Sequence, residues 1–208
     1  LVSQRAKDTL SVKLAGGPAT PVYLDVVKNG DDLLDIQALD NYMLLMDKPV
    51  SLNDRMQYVV AFYPQRTLPY ALYTGRFYID QETLSFTRIE FEMDLSDRVK
   101  AANTILQKKP FGMRFRPLNV TYLVTYRQQN GKTYLNYIRN DVRFKCDWKK
   151  RLFSSIYTTT SEVVMVDRDD APVSGIKSRH SFKHSQVSYD VVDEYWDPDY
   201  WKDYNIIE

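Results

Sequence analysis

The chain has 208 residues, with 28 Lys+Arg against 27 Asp+Glu and a formal net charge of +1. That balance excludes a global field able to draw the chain onto nucleic acid or an anionic membrane, and the length suits one domain with its own core. A single cysteine, Cys146, excludes an internal disulfide framework and a Cys-rich zinc site.

No run approaches the ~18 apolar residues of a membrane-spanning helix, so no transmembrane segment is expected. The opening "LVSQRAKDTLSVKL" is not a signal peptide. The chain begins inside what reads as a strand, which points to an excised domain whose targeting segment lay upstream. Tyr at 16, Phe at 9 and Trp at 3 favour strands, because flat rings sit well on a half-buried pleated surface.

In chain order, Gly16, Gly17, Pro18 and Pro21 punctuate the first segment, and Val22 to Asn29 fits either a short helix or a strand. An acidic patch with Asp31, Asp32, Asp35 and Asp40 follows. "NYMLLMDKPV" and "RMQYVVAFYP" then read as two strands around the turn-like "SLND". Residues 75–95 read as a hairpin turning at "IDQET". In its second half Ile89, Phe91, Met93 and Leu95 alternate with Arg88, Glu90, Glu92 and Asp94, the period of a half-solvated strand.

"SDRVKAANTILQKK" predicts the one main helix, capped by Ser96 and stopped by Pro110. Val99, Ala102 and Leu106 share its apolar face, Ile105 borders it, and Lys108 and Lys109 stand at its negative end. Three long strands are predicted at 112–128, 132–149 and 152–168. Asn130-Gly131 joins the first two, a dipeptide that supplies the positive φ angles of a tight hairpin. In the second, Ile138, Val142, Phe144, Cys146 and Trp148 alternate with Arg139, Asp141, Arg143, Lys145, Asp147 and Lys149. One face meets the core and the other meets water or a polar partner. Strands this long curve and twist. The remainder, through the acidic aromatic end of 186–208, has no clear period.

Chemistry-bearing motifs are sparse. His180 and His184 are four apart, but in loop or strand that spacing spans ~13 Å, and no Glu or Cys accompanies them at ligand spacing. Asp193, Glu194, Asp197 and Asp199 lack the ladder and central Gly of a calcium loop. Cys146 lies on an apolar strand face, where a thiol is inert filling. No phosphate-binding loop and no G-x-S-x-G is present. No catalytic set, metal site or cofactor is therefore expected.

Charge distribution says more. Ser96 to Arg151 carries fourteen Lys/Arg against three acids, whereas Gln186 to Glu208 carries seven acids and one Lys. Either the acidic end neutralises the basic strands, or Arg114, Arg116, Arg139, Arg143 and Lys145 form an anion-facing surface for lipid headgroups or an acidic protein. Near-neutral overall charge argues against nucleic acid.

The motifs "VKLAGGP…VYLDVVKN", "GRFYIDQETLSFTRIEFEMD", "YLVTYRQQNGKTYLNYIRNDVRFKCDWKKRLF" and "YWKDYNIIE" resemble the C-terminal region of the carboxypeptidase-like regulatory domain-containing proteins of Gram-negative gut anaerobes. The resemblance covers nearly the whole chain. It implies export to the periplasm or outer membrane, with an export signal and a small β-sandwich upstream, and it assigns no activity to any residue. The unit "GRFYIDQETLSFTRIEFEM" also resembles part of the periplasmic lipoprotein-carrier fold, an unclosed barrel that encloses apolar ligands.

The expectation is a single mainly β (α+β) domain over 1–208: a strongly curved antiparallel half-barrel of about seven to nine strands with one main helix. Its expected function is a non-enzymatic envelope module that binds a protein partner or a lipidic ligand. The alternatives are a hydrolase whose acids converge only in three dimensions and a structural spacer. The oligomeric state is left open.

Overall fold

The computed structural model describes residues 12–14, 23–29, 36–148 and 153–168, together with 174, 175, 177, 179 and 197–199. The two histidines, the Gly16-Gly17 pair and most of 186–208 lie outside the described residues. Among those described the chain is mainly β. Seven strands form one open antiparallel sheet in the order β2 (Tyr42–Leu52), β3 (Arg55–Pro64), β4 (Tyr73–Asp80), β5 (Phe86–Met93), β7 (Met113–Gln129), β8 (Lys132–Trp148) and β9 (Ser154–Val164). A second, two-stranded sheet pairs β1 (Lys13–Leu14) with β6 (Leu106–Lys108). Two short helices are described, α1 (Ile36–Leu39) and α2 (Arg98–Ile105).

Local chemistry sets the hairpins. β2 and β3 turn at Asn53 and Asp54, with φ of 52° and 61°. β7 and β8 turn at Asn130 and Gly131, with φ of 52° and 72°. Two consecutive positive φ angles match the right-handed twist of flanking strands, and Asn, Asp and Gly tolerate them best. The predicted hairpin over 75–95 is also present, with Asp80 accepting hydrogen bonds from the backbone N–H groups of Glu82 (3.1 Å) and Thr83 (2.9 Å).

The period-two pattern of β8 holds. Ile138, Val142, Phe144 and Cys146 are buried, while Arg139 and Arg143 are exposed. Their cross-strand partners Val124, Val120, Pro117 and Phe115 carry the same face into β7. Ile89 opposite Val124 and Phe91 opposite Tyr122 carry it into β5. Stacked rings continue it: Phe91 on Tyr122 at 4.7 Å, Phe62 on Phe77 at 4.6 Å and Phe144 on Tyr157 at 5.7 Å between centroids. At Gly75 the core admits no side chain. A Cβ there would lie 2.2 Å from the Glu90 carbonyl oxygen and 2.7 Å from atoms of Phe62 and Phe91.

This greasy face is closed by Ala101 and Ile105 of α2, by Leu14 of β1, by Leu106 of β6, and by Ala71 and Leu72. Val26 joins it from the 23–29 segment, whose Asp25 accepts a hydrogen bond from the Tyr126 hydroxyl at 2.9 Å. That segment is helical only at residues 23–24 and then turns.

The helix prediction needs correcting. α2 spans Arg98–Ile105 and stops well before Pro110, because Leu106–Lys108 leaves it to pair with β1. Its N-cap is Asp97, which accepts from the backbone N–H of Val99 and Lys100, whereas Ser96 donates to Asp94. Ala101 and Ile105 are buried and the predicted Ala102 and Leu106 pack against the core beside them, whereas Val99 faces solvent. Lys108 belongs to β6, and the Lys109 ammonium donates to the Met113 carbonyl at 2.7 Å.

Candidate functional site

The opposite face of the sheet carries charged side chains from several of the long strands. Alternation alone puts Thr74, Arg76 and Tyr78 of β4, Arg88, Glu90 and Glu92 of β5, and Arg139, Asp141, Arg143 and Lys145 of β8 on that side. A shallow groove of about 370 Å³ runs across it from Tyr63 of β3 to Arg139 and Asp141 of β8, with Arg76, Glu90, Glu92 and Leu123 between.

Within the groove, the charges other than Glu92 are matched among the described residues. The Arg139 guanidinium donates to Asp141 at 2.6 Å and lies 3.6 Å from Glu162 of β9. Asp141 also accepts from the Thr160 hydroxyl, so its carboxyl is held below the ordinary range by Arg139 and Thr160, against a smaller opposing effect of burial. The same ion pair raises the Arg139 pKa further. Glu90 accepts from the Tyr78 hydroxyl at 2.9 Å and pairs with Arg88. Arg76 donates to Asp47 of the edge strand at 3.4 Å.

The five cations singled out from the sequence do not form one group. Arg139 belongs to this balanced groove. The other four gather toward the far end of β7 and β8, four residues or ~13 Å along the strand. There Arg116 faces Lys145, Arg114 faces Asp147, and Arg143 faces Asn119. Asp147 pairs with Arg116 and lies 3.7 Å from the Lys145 ammonium, and the Arg116 hydrogen bond chiefly holds its carboxyl below the usual range. Arg114 and Arg143 are exposed and form no ion pair among the described residues. Among the described residues Asp147 therefore pairs with two of the four cations in this corner, Arg116 and Lys145.

Sequence reasoning missed the acids of the groove. The alternation of Arg88, Glu90 and Glu92 marked β5 as half-solvated, but the α2–β6 insertion hid the pairing of β5 with β7 that sets Glu90 opposite Leu123 and Glu92 opposite Thr121.

A second cavity, of about 470 Å³, lies at the end of the sheet beside the β4–β5 turn. Its wall includes Asp80, whose carboxylate accepts from the Arg55 guanidinium at 2.8 Å, from the Thr83 hydroxyl at 3.0 Å and from the Gln57 amide at 3.4 Å. Arg55 also donates to Gln128 of β7 at 3.0 Å. These groups satisfy one another and form a structural knot.

Cys146 is buried, and burial pushes its thiol pKa up, away from the reactive thiolate. Among the described residues no cluster of His, Cys, Asp and Glu is arranged to hold a metal ion. No described helix is long and apolar enough to cross a membrane.

Comparison with known proteins returned no matching family model, no matching curated protein and no matching solved structure.

Proposed function

We propose that this chain is a non-enzymatic binding module of the bacterial cell envelope, and that the cationic corner of its open sheet face holds an acidic protein partner. One observation carries the reading. Arg114, Arg116, Arg143 and Lys145 stand on a two-strand lattice where Asp147 is the one described carboxylate paired with any of them, and Arg114 and Arg143 form no ion pair among the described residues. Fixed guanidinium groups recognise carboxylates with defined geometry, and the pleat sets their spacing. A protein partner is preferred to an acyl chain because the greasy face is filled by the chain's own rings and helix.

The envelope location rests on the resemblance to the exported carboxypeptidase-like regulatory domain-containing proteins. The reading includes a strongly curved, half-barrel sheet akin to lipoprotein carriers. Two features support that curvature: the groove joining β3 to β8, and the Arg55–Gln128 hydrogen bond across the two strands between β3 and β7.

The test uses immobilised poly-glutamate and vesicles of phosphatidylglycerol or phosphatidylcholine. Poly-glutamate binding that weakens with salt and falls roughly tenfold in Arg114→Glu/Arg143→Glu supports the proposal. Tighter binding to phosphatidylglycerol vesicles transfers the site to lipid. Salt-independent binding, or binding untouched by the double variant, removes the corner as a site.

The groove favours a second reading, since Glu90, Glu92 and Asp141 all line it and a hydrolase needs paired acids. Ester or glycoside hydrolysis that disappears in both Glu90→Gln and Asp141→Asn would establish it. Against it, Arg139 and Thr160 hold Asp141 ionised, the wrong state for a proton donor near neutrality.

A further inference from the structure

The two edges of the sheet are built differently. β9 shows solvent a largely polar run, "SSIYTTTSE". β2 shows it "MLLM", directly after the buried Tyr42. Met43, Leu44, Leu45 and Met46 are 44–67% exposed on both faces, and no other described strand lies beside them on the outer edge. Protection appears only further along, where Lys48 and Pro49 fall in a bulge between Asp47 and Val50. On the greasy face Met56 and Tyr58 of β3 are also exposed and widen the patch. A contiguous apolar edge of this kind marks an interaction site.

We propose that β2 pairs in solution with β2 of a second copy, antiparallel, with the two-fold axis at Leu44. Symmetry limits the choice. A dyad that joins two edges into one antiparallel sheet stands perpendicular to it and keeps each face continuous, so residues opposite one another must point to the same side. Within the apolar run this leaves registers centred on a residue, not between two.

Centred on Leu44, every member of the run meets an apolar partner: Tyr42 against Met46, Met43 against Leu45, and Leu44 against itself. Beyond the run, Asn41 meets Asp47, and the exposed Asp40 approaches the exposed Lys48 of the other copy, once at each end. Centred on Leu45, the pairing sets Met43 against Asp47 and Tyr42 against Lys48, two mismatches repeated by symmetry. Opposite charges at the ends of the Leu44 register, and apolar matches on both faces within it, commit the edge to a second copy. A net charge of +1 raises no barrier to self-association. The product is a single sheet of two seven-stranded halves carrying two cationic corners.

The full chain at micromolar concentration is measured by sedimentation velocity and light scattering. The expected mass is twice 24.4 kDa, and Leu44→Lys, checked for native circular dichroism, weakens association at least tenfold. Register is tested by oxidation. Directly opposed Cα atoms in an antiparallel ladder lie ~4.5–5.5 Å apart, within disulfide reach. Leu44→Cys therefore forms a covalent dimer, whereas Leu45→Cys and Met46→Cys do not, since they face Met43 and Tyr42. The native Cys146 is buried and leaves the readout clean. A monomeric mass overturns the proposal, as does cross-linking of Met46→Cys as fast as Leu44→Cys. If Leu44→Lys fails to fold, the cysteine series decides alone.

Discussion

Asp80 is 2% exposed, an unusual place for a carboxylate, and its neighbours explain its tolerance there. Burial pushes its pKa up. The N–H and hydroxyl of Thr83, the N–H of Glu82 and the Arg55 guanidinium outweigh that push and hold it below the ordinary carboxylate range. A depressed folded pKa contributes stability that is complete above the unfolded value near 4 and is lost as pH falls through the folded value. Asp80→Asn keeps the shape but removes the charge that satisfies Arg55. We expect it to cost about 2 kcal/mol at neutral pH, with a shallower loss of stability on acidification than the wild type. Urea unfolding from pH 7 down to pH 3 checks both, and an unchanged acid limb would show that Asp80 does not govern it. At this scale the sequence hid the role: Asp80 reads as one more turn aspartate until Arg55 and Gln57 arrive from β3.

Among the elements, the hairpins were legible because their signals are local. Asn130-Gly131 and Asn53-Asp54 carry their own backbone preference, and the strands on either side carry the period. α2 was legible in kind but not in extent. Eight residues form a helix that buries only Ala101 and Ile105, with Ala102 half-buried beside them, too few for pattern alone to place its phase. The next residues are claimed by β1, a partner distant in sequence. The cap moved one residue, from Ser96 to Asp97, and this is testable. Asp97→Ala should destabilise the fold by about 1 kcal/mol and Ser96→Ala by less than half that, measured by thermal unfolding. The reverse order would return the cap to Ser96.

For the molecule as a whole, stability concentrates in the middle of the sheet. β5, β7 and β8 bury Ile89, Val120, Val124, Ile138 and Phe144 almost completely, while most of β9 is exposed on both faces. Amides of β7 and β8 between Val120 and Val124 and between Ile138 and Val142 should exchange only through global unfolding. Those along β9 that are not bonded to β8 should exchange faster by several orders of magnitude. Hydrogen exchange followed by mass spectrometry reads this directly, and uniform protection across the seven strands would contradict it.

What the residues determined by themselves was the rhythm. Period-two alternation from Lys132 to Trp148 dictated a strand with one greasy and one charged side, and the same rule placed Cys146 inside. Period is a property of neighbours, so a single chain segment contains all of it. Which charged sides would meet was decided only by tertiary structure. Pairing β5 with β7 across the α2–β6 insertion, and β8 with β9, brought Glu90, Glu92 and Glu162 onto the face that carries Arg139. Among the described residues Arg114 and Arg143 have no such company. Coulomb pairing acts over a few ångströms, and those distances exist only once strands far apart in sequence have found their register.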